Sequence, residues 1–480
     1  MAYRYGDREQ TQILPASVED YVAADAPVRF YNAFIEALSF SELGIAYDPH
    51  QTGNPEYDPK AMLKLLVYGY SYGVRSSRRL EREANYNLSF IWLIGGLHPD
   101  HKTIAEFRRR HKKALHNVLK QCARMCIRLN LISGNTLFVD GSKVRANAGW
   151  KSQGTRDRAR KALAKIDERI AALLTECECA DTAEAGSGSF VKIPKELEDQ
   201  TLLKAKVEQI LAEIKTEDDS LNVVDSECKP MRSNQGTFPS YNAQHVVDAQ
   251  HGLIVQADAV SDATDVYQFA QQIDQANQTL EKPCNTACAD AGYANTQEAG
   301  KIDAQHIQVV VPTNIQAREQ EEGSFAKSKF TYDAERNEYR CPQGHPLTYL
   351  GYDSSNRKHD YRIHAKETCL SCPHFGVCTK SRHGRRIKRL PLEEVKSKLE
   401  AQYASPEGQA IYKLRKQNAE HPFGHLRRNL GVQYFLLRGR DGVKAERSIL
   451  ATCFNLARMI TLIGVPGLLN QLLLTSPART

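Results

Sequence analysis

Residues Arg415–Leu430 read RKQNAEHPFGHLRRNL, a helix-like run in which one carboxylate, Glu420, stands among basic neighbours. A carboxylate in that setting is either neutralised by the cations around it or holds a metal ion. Arg427 lies about two helical turns after Glu420, so the two share a face. Phe423-Gly424 reads as a place where backbone can come close to another group. Alone, Glu420 would be one more residue of a solvated ion-pair helix. Two upstream carboxylates, Asp140 and Asp290, each predicted to close a strand, change that reading.

Working outward, TLFVD (residues 136–140) is a short apolar strand ending on Asp140, and the GSKVRANA that follows reads as non-strand. Leu163, Ile166, Ile170 and Leu173, then Leu203, Val207, Ile210 and Ile214, recur at heptad-like spacing on either side of a flexible AGSGS segment, which predicts an antiparallel helical hairpin inserted into a sheet domain. YNAQHVVD and GLIVQADAV form a β-hairpin about His251-Gly252; a helix over 265–277 leads to NTACAD, a strand ending on Asp290, and IQVVV is a last strand stopped by Pro312. The result is a mixed sheet with helices packed on it. Neighbouring strand ends would bring Asp140 and Asp290 together, and Glu420 completes the set. Three carboxylates repel unless cations sit among them. Oxygen-only ligation with room for phosphate suits two Mg²⁺ or Mn²⁺ ions serving an in-line phosphodiester displacement.

The first 130 residues read as all helical. Pro59 opens a helix with Met62, Leu63, Leu65 and Leu66 on its apolar face, and a second from Ser76 carries Arg78, Arg79 and Arg82. Thr103 and Glu106 predict a capping box ahead of one long helix through Ile104, Phe107, Leu115, Val118, Cys122 and Cys126, the cysteines being core. Short helices with a serine-arginine turn and the RRRHKK run (108–113) fit either a helix-turn-helix-like DNA reader, with Arg78, Arg79, Arg108 and Arg109 as contacts, or a bundle with exposed arginines.

Residues 330–390 are a different unit. Cys341, Cys369, Cys372 and Cys378 stand in a polar stretch with too few large apolar residues to fold by burial alone. Cys-x2-Cys lets two sulfurs reach one tetrahedral ion, so the reading is a zinc-ribbon-like module; an iron–sulfur cluster and no metal are the alternatives, with His345 and His374 as substitute ligands. The run RHGRRIKR, containing Arg385 and Arg386, follows directly and is expected to touch nucleic acid.

Composition agrees with this assembly. The chain has 480 residues, 41% hydrophobic and 25% charged, enough for about three domains. No run of eighteen apolar residues and no export signal are present, so the expected location is cytoplasmic and no membrane partner is expected. Twelve cysteines then read as buried thiols and metal ligands. The net charge is +7, and its clusters at 108–113, 382–389 and 425–428 fit a long polyanion.

YDPKAMLKLLVYGYSYGVRSSRRLE, HPDHKTIAEFRRRH, VDGSKVRANA, YNAQHVVDAQHGLIV, ADAGYAN and AEHPFGHLRRNLGVQYFLLRG follow one another in an order that resembles the bacterial insertion-sequence DDE transposases. The resemblance implies a ribonuclease H-like α/β catalytic domain over 131–149, 222–329 and 391–470, a helical DNA-binding domain over 1–130, a helical hairpin insertion over 150–221 and the four-cysteine module over 330–390. It implies Asp140, Asp290 and Glu420 as catalytic acids, Asp140 bridging both metals. It places Arg427, Arg415 and Lys143 among the DNA contacts, although Arg415 stands one residue farther from Glu420 than the family's tyrosine-arginine-glutamate signature has it. The implied activity is cleavage at the element's ends and transfer of the 3′-hydroxyls into target DNA, by a dimer or higher oligomer on double-stranded DNA at the bacterial nucleoid. A structure-selective nuclease of the same fold and a non-catalytic DNA-binding derivative are the rivals.

Overall fold

The computed structural model of the chain describes residues 17–45, 56–149, 153–183, 195–213, 220–222, 224–233, 236–317, 323–355 and 357–475. Helices α1 (Pro27–Glu36), α2 (Pro59–Ser71), α3 (Ser77–Tyr86), α4 (His101–Arg110) and α5 (Lys112–Arg128) come first. Pro59 sits in the first turn of α2, where its missing N–H is no loss, and the Asp58 carboxylate caps that turn by accepting from Lys60 N. The single helix expected from Thr103 is two. Asp100 caps α4 by accepting from Thr103 N at 2.7 Å, and the chain breaks at His111, whose φ of −104° and ψ of 27° are not helical. The cap goes to the residue still in extended backbone, which Asp100 is and Thr103, already inside the first turn, is not. Cys122 and Cys126 are buried in the core, as read.

The main sheet contains β1 (Thr136–Arg145), β2 (Lys229–Ser233), β3 (Gly236–Asp248), β4 (Ile254–Val260), β5 (Thr286–Cys288) and β6 (Gln308–Val310). Its order is β4-β3-β1-β5-β6, with β2 also paired to β3; β3 runs antiparallel to β1, β2 and β4, and β5 and β6 run parallel to β1. Here the structure corrects the reading at Asp140. β1 continues to Arg145, because β3 pairs with it without a break from Leu137↔Asp248 to Arg145↔Ser240. Asp140 is therefore a mid-strand residue, opposite His245.

Helix α6 (Arg156–Ala183) and helix α7 (Lys195–Glu213) lie between β1 and β2 in the chain. Ile166 and Val207 are buried against each other with Leu163, Ile170 and Leu211 around them, and Arg169–Glu196 and Lys204–Asp167 pair across them. The AGSGS segment between them lies outside the described residues. After α8 (Phe269–Leu280) and the last main-sheet strand, a five-stranded antiparallel sheet spans Thr331–Arg389, holding β7 (Thr331–Asp333), β8 (Glu338–Arg340), β9 (Pro346–Asp353), β10 (Lys358–Ile363) and β11 (Arg386–Arg389). This unit does have a core: Phe330, Tyr339, Leu347, Tyr361, Ile363 and Ile387 are buried together. Three aromatic and three aliphatic residues in or beside separate short strands supply it, so few large apolar residues suffice once the sheet gathers them.

Helices α9 (Glu393–Ala404), α10 (Pro406–Arg428) and α11 (Arg440–Ile463) close the fold. In α11 Ala445, Ile449, Leu450, Cys453 and Leu456 join the same core as the N-terminal helices and one face of the main sheet, so α11 ties the two regions into one body. α10 lies over the sheet's other face, where Ala419 packs with Phe138, Cys288 and Val310. Among the described residues no single helix is long and apolar enough to cross a membrane.

Candidate active site at the sheet and its covering helix

β1 and β5 are parallel neighbours with Phe138 beside Cys288. Asp140 stands two residues farther along β1, and Asp290 two residues past Cys288, the last residue of β5. Asp290 begins a turn of 3-10 helix, its Oδ1 accepting from Gly292 N at 2.8 Å. Burial drives the Asp140 carboxyl up to about 7; the Arg415 guanidinium opposes this, and Asp290 and Glu420 add to it. Asp140 thus stands in the field of the other two acids.

Glu420 reaches the site because α10 is anchored one residue earlier. Pro422 has no N–H to give to the turn before it, and in that turn the Ala419 carbonyl accepts from His245 Nε2 at 2.8 Å. A carbonyl can only accept, so the proton is on Nε2, and His245 Nδ1 accepts from Arg447 Nη2 at 3.0 Å. Buried between these partners, His245 is held neutral, well below its usual pKa. Phe423 stacks on the His245 ring with centroids 4.1 Å apart. Phe423 is therefore a packing residue. Gly424, read as a point of close approach, has open space where a Cβ would stand.

Arg415 is the residue whose setting departs furthest from expectation. Its side chain is 11% exposed, with Nη1 3.7 Å from Asp140 Oδ1 and Nη2 3.9 Å from Glu420 Oε1. The family-implied DNA contact thus faces the acids. Arg427 does share the face of Glu420, and its guanidinium donates to Ser142 Oγ on β1. Arg108 is buried, donating to Tyr70 Oη at 3.0 Å and to the Arg75 carbonyl at 2.9 Å, so it braces the helical region from within. Arg78, Arg79 and Arg109 are exposed, Arg109 paired with Glu106 at 2.7 Å. Arg385 likewise turns inward, donating to the carbonyls of Cys378 and Phe325, while Arg386 pairs with Asp360. In both, the guanidinium turns inward where fixed oxygens accept from it, Tyr70 Oη and the Arg75 carbonyl for Arg108 and two carbonyls for Arg385, which offsets part of the cost of leaving water.

Glu446 on α11 is also an acid of the C-terminal helices, but it is 1% exposed and bound within the fold. It accepts from Arg75 Nη1 at 2.9 Å, Leu436 N at 2.8 Å and Leu437 N at 2.9 Å.

A fourth acid beside the site was not legible in the sequence. Asp265 Oδ1 accepts from Asn242 Nδ2 at 2.6 Å and Gln244 Nε2 at 2.7 Å, and Lys143 Nζ lies 3.3 Å away. Tyr293, in the turn that Asp290 begins, donates to Gln244 Oε1 at 2.5 Å. A Cβ on Gly141 would stand 2.5 Å from Gln244 Nε2, 2.7 Å from Asp265 Oδ1 and 2.8 Å from Tyr293 Oη, so only glycine lets this network close against β1. Next to it a groove of ≈ 720 Å³ runs along β1, lined by Lys143, Arg145, Arg232 and Arg427 with Asp265 as its one acid.

In the second sheet Cys341, Cys369, Cys372 and Cys378 line one cavity of ≈ 30 Å³ together with His345 and His374. Burial raises the Cys378 thiol above its ordinary pKa, Arg385 opposing. Neither there nor at the acids, among the described residues, do three His, Cys, Asp or Glu side chains stand in an arrangement that could hold a metal ion. The donors nevertheless suit the ions in kind, carboxylate oxygens for Mg²⁺ and thiolate sulfur for Zn²⁺.

Three antiparallel strands followed by two parallel to the first, with helices on both faces, are consistent with a ribonuclease H-like core. Comparison with known families narrows the class. Residues 16–110 match the model of a transposase domain (DUF772), and residues 340–460 match that of a transposase DDE domain. Two separate segments of the chain, one in the N-terminal helical region and one running through the C-terminal helices, are thus similar to transposase domains. The second match includes Glu420 and leaves Asp140 and Asp290 outside it. No curated protein and no solved structure matches the chain.

Proposed function

We propose that the chain is an insertion-sequence transposase that cleaves DNA at the ends of its element and joins the freed 3′-hydroxyls to target DNA. The observation that carries this is that Arg415 stands within 4 Å of both Asp140 and Glu420, and that Asp290 and Glu420 both act on the Asp140 carboxyl, near a basic groove along β1. Asp140, Asp290 and Glu420 would hold two Mg²⁺ or Mn²⁺ ions, which supply Lewis acidity at the attacking and leaving oxygens. Lys143, Arg145, Arg232 and Arg427 place fixed positive charge along the groove, suited to a phosphodiester strand entering the acids from the β1 side. Arg78, Arg79 and Arg109 offer a second cationic surface on the helical domain for duplex DNA. The four cysteines would hold one structural Zn²⁺, and α6 with α7 would be a helical hairpin insertion. Two ends must be paired for joining, so the working form is a dimer or larger on DNA, in the bacterial cytoplasm.

The test uses a plasmid bearing the coding segment with its natural flanks, incubated with Mg²⁺ and a second target plasmid. Joined products whose junctions lie at fixed positions in the flanks support transposition. Cleavage without joining identifies a nuclease on the same fold, and neither activity, with DNA still bound, identifies a non-catalytic binding protein.

A further inference from the structure

The acids repel one another, yet the fold holds them close with a cation of its own. Arg415 is nine-tenths buried, and its guanidinium bridges Asp140 and Glu420 at 3.7 and 3.9 Å. Those separations are ion-pair distances and not hydrogen bonds. Arg415 Nη1 is a buried donor without a hydrogen-bond partner among the described residues. A guanidinium built to stay would be expected to find bidentate geometry on a carboxylate, as Arg386 does on Asp360. Arg415 instead floats between two acids, with the Tyr412 ring 5.5 Å from its Cζ as a second face to rest on.

We infer that Arg415 is a displaceable counter-ion, occupying the space between Asp140 and Glu420 when divalent ions are absent and leaving it toward Tyr412 when they bind. This rests on the assignment of Asp140, Asp290 and Glu420 as the metal-holding acids. Its physical content is competition. A unit charge this close to two carboxylates offsets their repulsion in the metal-free protein, and the same charge must be moved before a divalent ion can take both oxygens.

The experiment is a calorimetric Mn²⁺ titration and a thermal melt of the full chain, run on the wild type, Arg415→Gln and Asp140→Asn. Arg415→Gln is expected to bind Mn²⁺ at least about tenfold more tightly than the wild type, to melt lower without metal, and to gain more from added Mn²⁺. Arg415→Lys, which keeps the charge, should return the affinity toward wild type. Equal or weaker Mn²⁺ binding by Arg415→Gln overturns the inference while leaving the acids in place as ligands. If the wild type and Asp140→Asn bind Mn²⁺ alike, the assignment of the acids falls and the inference with it. Should Arg415→Gln not fold, a crystal structure of the wild type with Mn²⁺ decides: a guanidinium gone from between Asp140 and Glu420 supports the inference, and one still there beside a bound ion refutes it.

Discussion

Replacing Glu446 by glutamine asks whether this carboxylate belongs to the chemistry or to the fold. Its side chain is fully enclosed and takes three bonds, from Arg75 between α2 and α3 and from Leu436 N and Leu437 N ahead of α11. Burial pushes its pKa up, against Arg75 and the two backbone N–H groups that favour the charged form. Glutamine keeps the size and one acceptor but turns an N–H₂ toward these donors, and leaves the Arg75 charge buried without its carboxylate, with the Tyr434 carbonyl still accepting from Nη1. Breaking a buried pair in this way costs about 3–5 kcal/mol. For a cooperative unit of about 200 residues that corresponds to a melting temperature lower by on the order of 10 °C. The assay is a thermal melt by circular dichroism, with Glu420→Gln as control. Glu420 is 53% exposed and the Arg415 guanidinium lies 3.9 Å from it, so Glu420→Gln should melt within about 2 °C of wild type. If Glu446→Gln melts with the wild type, the reading of Glu446 as a structural anchor is wrong.

Gly141→Ala puts a methyl within 2.5–2.8 Å of Gln244, Asp265 and Tyr293, and should cost about 1–3 kcal/mol in a melt, with Mn²⁺ binding weakened because the Asp290 turn is held through Tyr293. Burial holds His116 neutral against Asp258, its Nδ1 meeting Ser448 Oγ. The unfolded chain therefore gains the proton first, and stability falls as pH drops below about 6.5; His116→Asn should flatten that slope in melts across this range. Elemental analysis should find about one zinc per chain, and Cys372→Ser should lose it and open Thr331–Arg389 to protease while the main sheet stays folded, since each sheet has its own core. Arg427→Ala should lower the slope of log affinity against log salt for duplex DNA by about 0.9, the release of one counter-ion; an unchanged slope would remove Arg427 from the DNA surface.

Strand positions and the mixed pairing were legible because apolar runs bounded by turn residues report local backbone directly, as at Tyr241–Asp248 and Ile254–Val260. Where β1 ends was not. Ser142, Lys143 and Arg145 look like loop because polar residues on a solvent-facing strand carry no apolar signal, and their strand character comes from β3, a hundred residues away. Asp265 was hidden for a similar reason. Asp258, Asp262 and Asp265 are equivalent in the sequence, and only the return of the chain after β4 sets Asp265 against Gly141. Arginines were the hardest to place. Arg108 stands in RRRHKK and Arg385 in RHGRRIKR, and a run of like charges does not reveal which member turns inward to a carbonyl. Glu420 was legible as an isolated acid among bases, but its true partner, Arg415, was counted among the outward-facing ones.

The central claim, that Asp140, Asp290 and Glu420 act as one metal-dependent phosphoryl-transfer site, is tested most directly by joining rates at saturating DNA. Glu420→Gln and wild type are compared on the flanked plasmid in Mg²⁺, with DNA affinity measured on the same preparations. The account predicts joining reduced by at least about a thousandfold with affinity unchanged within a few-fold. Joining within about tenfold of wild type would contradict it.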